Sequence, residues 1–480
     1  MTFIDKAIGF FSPERELKRI RVRLAVNEMR KYDAASSGRR TKGWQSLSSS
    51  ANTENGPALV ALRNRSRDLV RNNPYAKKAI DVITTNTVGT GIRLTINAKD
   101  EATQKKYEEA WVGWAESTQC DFTGMLNFYG MQALIMRTIA ESGSCLIRKR
   151  VVRNADTKVA YQMQVLEPEY LATEADKPTL DGGGYIMQGV EFDKNGSRVA
   201  YHIHERHPNE QFQAKYNRIP AADVMHVYKI DRPGQISGIP FGTSAALKLH
   251  DFADYEDAQL MRQKVAACFA AFIQDQSPDA INGTGAAVST LPERVEPGMI
   301  EHLPAGKTVT FGTPPAAEGY ESYAKKILQG VASGYGITYE ALTGDLGNVN
   351  FSSGRMGWLE FHKMVEDWQY NMMIPRFCAV AWEWFVAGAK IGSALPGKEV
   401  TAEWTAPRRE MIDPVKESKG LSLQIRNGLT SWSETIRSLG SDPKKLAKEI
   451  SEDFKLFENL SLILDCDPRN KIVDTSSKAE

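Results

Sequence analysis

The chain is short of the features that most readily declare a chemistry. Its 480 residues include five cysteines, Cys120, Cys145, Cys268, Cys378 and Cys466, and no two stand in a CxxC pair. An odd, scattered set argues against a disulfide framework or a zinc ribbon and fits synthesis in a reducing cytoplasm. No apolar run approaches the roughly 18–20 residues that span a bilayer. The apolar patch at Phe3, Ile4, Ile8, Phe10 and Phe11 contains Asp5 and lacks a small-residue cleavage site, so a signal peptide is not expected. Charge of one sign is also missing: 60 Lys and Arg face 59 Asp and Glu, a formal net charge of +1. Neutralising phosphates releases counterions, so proteins that grip duplex DNA carry a basic surplus. The balance here argues against a tight grip, but not against a surface that DNA slides past.

Catalytic and nucleotide-binding signatures are absent as well. Gly306-Lys307-Thr308 resembles the end of a phosphate-binding loop, but Glu301 occupies the position of the required earlier glycine and would repel phosphate. Lys307 reads as a turn or strand-edge residue. Gly89-Thr90-Gly91 and Gly182-Gly183-Gly184 read as tight turns, since neither links a strand to a helix with the third glycine a dinucleotide needs. There is no GxSxG, no HExxH and no carboxylate cluster of the kind a nuclease uses. His202, His204 and His207 invite a metal-site reading: on a strand His202 and His204 would share a face, as metal ligands can, with Glu205 pointing the other way. No Cys or carboxylate completes a known spacing, so surface or interface histidines are expected, with no metal, cofactor or catalytic residue.

What remains is ordinary globular material: 42 % hydrophobic and 25 % charged residues, enough for two or three domains. Ser12-Pro13 can open a helix to about Tyr32 with one basic face, which reads as a solvated face or a nucleic-acid or scaffold contact. Asp33 to Pro57 reads as a flexible arm anchored by Trp44. Leu59 to Val88 should be helical in two pieces, broken at Asn72-Asn73-Pro74. A short strand is expected at Ile92 to Ile96, then helices over Glu101–Ser117 and Met125–Glu141. Ser144 to Tyr228 alternates apolar and polar residues between turn signals, as an antiparallel β region does. A helix over Thr243–Gln274 would reach roughly 48 Å. Ser277 to Pro315 is a small Pro- and Gly-rich excursion with brief strands at Glu301–Leu303 and Lys307–Phe311. A second helix, Glu318–Tyr335, returns from it.

Gly336 to Gly357 reads as a loop, most clearly over Gly344–Gly354. Trp358, Phe361, Val365, Trp368 and Met372, spaced 3, 4, 3, 4, form the buried stripe of a long helix to about Ala389. Pro375 removes a backbone donor and should kink it. Asp413-Pro414, Ser431 to Glu434 and Asp442-Pro443 start three short helices, and the tail beyond Asp465 reads as disordered. Most of the nine tryptophans lie on helical stripes and are expected in the core or a subunit interface. The residues alone thus describe a non-enzymatic α+β protein with two long helices flanking a small β insert.

Several stretches, in order, also resemble the lambda-type portal proteins of tailed phages: Tyr32 to Ala35 with Trp44, Leu62 to Ala76, Val88 to Ile92, Tyr335 to Asp345, Val349 to Ser353 with Arg355, and Trp404 with Pro407 and Asp413 to Glu417. Phe351 stands where tyrosine is more usual. The resemblance implies a portal fold with wing, two-helix stem, small clip insert, long kinked helix and helical crown. On this chain these correspond to an N-terminal basic helix and arm at 1–57, wing 58–242, stem helices 243–276 and 318–336, clip 277–317, tunnel loop and kinked wing helix 337–395, crown 396–465 and a tail at 466–480. It implies a ring, typically twelve-fold, at the capsid vertex of the virion, made in the host cytoplasm. Its expected partners are double-stranded DNA passing without sequence preference, the terminase large subunit, a head-completion or adaptor protein, and the major capsid and scaffold proteins, with no membrane. Asn348, Val349, Asn350, Phe351, Ser352, Ser353 and Arg355 would face the DNA, and Glu293, Arg294 and Glu296 the terminase. The competing readings are a DNA-processing enzyme of the packaging machinery and a minor capsid scaffold protein.

Overall fold

A computed structural model describes residues 43, 48–152, 158–210, 215–267, 271–275, 307–311, 319–347, 349–392, 395, 400–407 and 411–462, with backbone only at 265–267, 271–275 and 307–311. The chain divides into two compact units, Met1–Thr53 and Glu54–Glu480. In the first, the Ser50 hydroxyl accepts the Thr53 N–H at 3.2 Å. The expected basic helix, the strand Glu301–Leu303, the residues Glu293, Arg294, Glu296 and Asn348, and the tail beyond Asp465 lie outside the described residues.

The second unit opens with α1 (Leu59–Asn72) and α2 (Pro74–Val88). Asn73 separates them because its extended backbone lets Oδ1 accept the N–H groups of Tyr75 and Ala76, while Pro74 needs no donor at N1. The turn at Gly89 and Thr90 leads to β1 (Arg93–Ala98) and α3 (Glu101–Trp111), which continues as a π-wound turn over Val112–Glu116. Next come α4 (Phe128–Ser142), β2 (Ser144–Val151) and β3 (Tyr161–Leu166). Then β4 (Tyr185–Met187), β5 (Val190–Phe192), β6 (Arg198–His204) and β7 (Tyr216–Pro220) form an antiparallel meander. Strand β8 (Val224–Tyr228) crosses to the other sheet, giving the order β3-β2-β8. These named strands pair antiparallel with one another, in keeping with the turn-rich alternation of the sequence, and one isolated parallel bridge joins Asp121 to Met163 of β3.

Helix α5 (Ala246–Ala267) is shorter than expected. Ala271–Asp275, expected within the helix as far as Gln274, forms β9, paired antiparallel with β10 (Lys307–Phe311). A short run of small apolar residues suits a helix or a strand equally, and the available strand partner decides it. Its 22 residues reach about 33 Å. Helix α6 (Tyr320–Tyr335) returns as expected. It meets α5 through Tyr255, whose ring stacks on Tyr320 at 6.0 Å and lies 4.8 Å from Tyr323, while the Tyr320 hydroxyl donates to Glu256.

The segment read as one loop, Gly336 to Gly357, holds helical structure at both ends. Thr338 caps a short helix α7 (Tyr339–Thr343), and α8 (Phe351–Asp367) already begins at Phe351. A reciprocal cap at Asn350 and Ser353 starts the helix inside the stretch expected to be loop. Helix α8 runs into Trp368–Cys378, wound as a π-helix around Pro375, and then into α9 (Ala379–Ile391). The wider i→i+5 winding accommodates the proline's missing donor within a continuous helix. Strand β11 (Val400–Thr405), which the sequence reading did not assign, pairs with β1 from Arg93↔Thr405 to Ala98↔Val400. Three helices follow, α10 (Pro414–Arg426), α11 (Trp432–Ser438) and α12 (Pro443–Asn459), capped by Asp413, Ser431 and Asp442.

Trp111 is the centre of the main core. Its ring lies within 6.0 Å of Trp114, Phe128, Trp382, Phe385 and Trp404, joining α3, α4, α9 and β11. The ring contacts, edge-to-face with Phe128, Phe385 and Trp404, add about 0.5–1.5 kcal/mol each beyond the burial itself. Buried Gln132 completes this core by accepting the Ile92 N–H and donating to its carbonyl.

Candidate functional site

The sequence singled out the stretch after α7, whose described residues form a short non-helical connection. Gly344 takes a left-handed φ of 74° that ends α7, and the described residues up to Asn350 are non-helical. Asp345 organises the start of this turn: one carboxylate oxygen accepts the Gly347 N–H, and the other accepts the Tyr339 hydroxyl and lies 4.0 Å from Lys325 Nζ. Asn350 Oδ1 then accepts the Ser353 N–H at 2.8 Å, and Ser353 Oγ accepts the Asn350 N–H at 3.2 Å. The cap turns Asn350 and Ser353 inward on the backbone.

Of the expected DNA-facing residues, Val349 and Asn350 stand in the connection, whereas Phe351, Ser352, Ser353 and Arg355 occupy the first turns of α8. Three large apolar side chains are exposed around them: Leu346 at 66 %, Phe351 at 55 % and Met356 at 73 %. Sequence reading stressed the neutral polar residues here and missed this apolar content, although Leu346 and Met356 were plain in the sequence. Lys416 Nζ, which pairs with Asp413 at 3.0 Å, lies 5.9 Å from the Phe351 ring centroid. This links the start of α8 to the start of α10. No carboxylate pairs with Arg355 among the described residues.

The three histidines do not converge. Each meets a different glutamate: His202 Nε2 lies 3.1 Å from Glu191, His204 Nε2 3.1 Å from Glu174, and His207 Nε2 3.6 Å from Glu167. Hydrogen bonds from Arg218, opposed by burial and helped by His202, hold Glu191 below the usual carboxylate range. Glu167, Glu169 and His207 do bring donor atoms within 4.8 Å of one another. Arg67 already serves that cluster, with its guanidinium 2.9 Å from Glu169 and 3.4 Å from Glu167. A guanidinium in that position neutralises the carboxylates a metal would need.

Three cysteines among the described residues are buried free thiols. Burial pushes Cys120 up to about 12 and raises Cys145 and Cys378 as well, so none is a ready nucleophile. Lys307 opens β10, so the phosphate-loop likeness at Gly306-Lys307-Thr308 leads into a strand and not into a phosphate-binding helix N-terminus. No helix among the described residues is long and apolar enough to cross a membrane.

The family model described as phage portal protein, lambda family, matches residues 37–369. The chain is 25 % identical over 423 residues to the "Probable portal protein" of Halomonas phage phiHAP-1, covering 84 % of this chain and 81 % of that one. It is 22 % identical over 475 residues to portal protein B of Escherichia phage lambda, covering 86 % and 87 %. In fold it is similar to a chain from the neck of an empty gene transfer agent particle computed with C6 symmetry. That match has a TM-score of 0.50 at 14 % identity and covers 80 % of this chain and 94 % of the other.

Proposed function

The chain belongs to the lambda family of phage portal proteins, and from that premise we propose that about twelve copies close into a ring at the capsid vertex of the virion. In this reading the ring is the conduit through which the genome enters and later leaves, and it starts assembly of the head among the major capsid and scaffold proteins. The carrying observation is the order of elements: α5, the β9–β10 pair, α6 and then the non-helical connection ahead of α8. The antiparallel helices serve as the stem. The excursion between them, with Glu293, Arg294 and Glu296, serves as the clip that docks the terminase large subunit first and a head-completion protein later. The ATP chemistry resides in the terminase, and this chain acts without catalysis.

Rotational symmetry turns every exposed group on the bore into a ring of identical groups. Duplex DNA carries about one charge per 1.7 Å of axis, so rings of lysine would hold it and neutral rings let it pass. Asn348, Val349, Asn350, Phe351, Ser352 and Ser353 supply neutral side chains, and Arg355 is the cation among the expected DNA-facing residues. Substitution of Arg355 by Ala, Gln and Lys, scored for packaged genome length, tests this assignment. Rings form normally in all three, and genome retention changes with loss of the charge. Loss of rings in Arg355→Ala contradicts it.

A further inference from the structure

The C-terminal helices are amphipathic without a core of their own. Helix α10 has no buried residue, α11 buries Thr435 alone and α12 buries only Pro443. On α12, Leu446, Ile450, Phe454 and Phe457 recur at intervals of 4, 4 and 3, a core-facing pattern. Leu423, Leu429, Trp432, Leu456, Leu460 and Leu462 nevertheless remain exposed. Helices of roughly 12–15 residues or fewer are marginal in water, and most draw their stability from packing of the apolar face. These caps start the helices, but what covers them must come from elsewhere.

The charges indicate what that is. Helix α10 carries three cations, Lys416, Lys419 and Arg426, against Glu417. The distal part of the segment, residues 451–462, carries three anions, Glu452, Asp453 and Glu458, against Lys455. Two copies meeting through the same face would set like charges together. Copies meeting head to tail place the basic helix of one on the acidic end of the next, and each copy uses both faces once. That is a heterologous contact, the kind that closes a ring. The acidic end would also repel a polyanion. We propose that residues 411–462 complete their apolar core in trans, with α10 of one copy packed against the C-terminal half of α12 of its neighbour. The proposal rests on the ring assigned above and adds that this segment is stably folded only within it.

Hydrogen exchange of the full-length chain, unassembled and in purified rings, tests it directly. The amides of α12 after Pro443 exchange at least about tenfold more slowly in the ring. Lys419→Glu with Arg426→Glu shortens ring lifetime roughly tenfold, Glu452→Lys with Asp453→Lys does the same, and the four together restore most of the loss. Equal exchange in ring and subunit, or losses that simply add in the fourfold variant, overturns the proposal while leaving the portal reading intact. If the wild-type chain forms no rings at all, the portal reading fails and the proposal fails with it.

Discussion

His226 gives the sharpest quantitative prediction. It sits on β8, 8 % exposed, with its ring 4.8 Å from that of Tyr228 and 5.8 Å from that of Tyr201. Neither ring nitrogen has a hydrogen-bond partner. Burial, reinforced by Arg198, Arg63 and Arg376, holds its pKa well below the ordinary 6.5. Those guanidiniums donate to neutral oxygens: Arg198 to the hydroxyls of Tyr201 and Tyr228, Arg63 to the Ser142 carbonyl and Ser237, and Arg376 to the Tyr228 carbonyl. Nothing among these partners would compensate an imidazolium. The folded chain therefore keeps His226 neutral while the unfolded chain takes up a proton below about pH 6.5, so stability is lost as pH falls. Each pH unit below that point costs about 1.4 kcal/mol until the depressed folded value is reached. His226→Leu removes this dependence and also removes an unpaired N–H and lone pair that cost about 1–3 kcal/mol. Urea unfolding of the unassembled subunit measures both effects. The variant is at least as stable as wild type at pH 8, and its advantage grows by about 1.4 kcal/mol at pH 5.5. Equal pH slopes in the two proteins refute the reasoning.

Two further substitutions test local claims. Gly143 has φ +87°, and a Cβ there would come within 2.6 Å of the Gly238 carbonyl oxygen, so Gly143→Ala destabilises by at least ~2 kcal/mol; an unchanged thermal midpoint refutes the close approach. Asn350→Ala removes the cap of α8 and costs about 1 kcal/mol. It speeds hydrogen exchange at Ser353 and Gly354, whereas Asn350→Asp keeps exchange slow; a variant with wild-type exchange refutes the cap.

Local chemistry explains which elements were legible in the sequence. Asn73-Pro74 and Asp413-Pro414 each place a side-chain acceptor beside a residue that needs no donor, so both helix starts were readable without any tertiary information. The stripe from Trp358 to Met372 was readable because it runs along regular α8 as far as Asp367, and the last interval of four, Trp368 to Met372, also fits the wider winding. Three features depended on distant partners. Strand β9 exists because β10 lies beside it, and β11 because β1 does. The histidine–glutamate pairs join residues up to 40 positions apart, as with His207 and Glu167, and no local spacing encodes them. At the expected DNA-facing stretch the residue types were legible, but the helix start at Phe351 was not, because the stretch up to Gly357 read as a loop and the reciprocal Asn350–Ser353 cap went unread. Family resemblance supplied the ring, the bore and the partners; periodicity and spacing supplied none of them.

The most direct measurement is the symmetry and central opening of the purified full-length protein in electron micrographs. Closed rings of about twelve copies, with a bore wide enough for duplex DNA and the α5–α6 pair lining it, are the predicted result. Compact single subunits at every protein and salt concentration, or rings whose α5–α6 pair is buried away from the opening, would contradict the account.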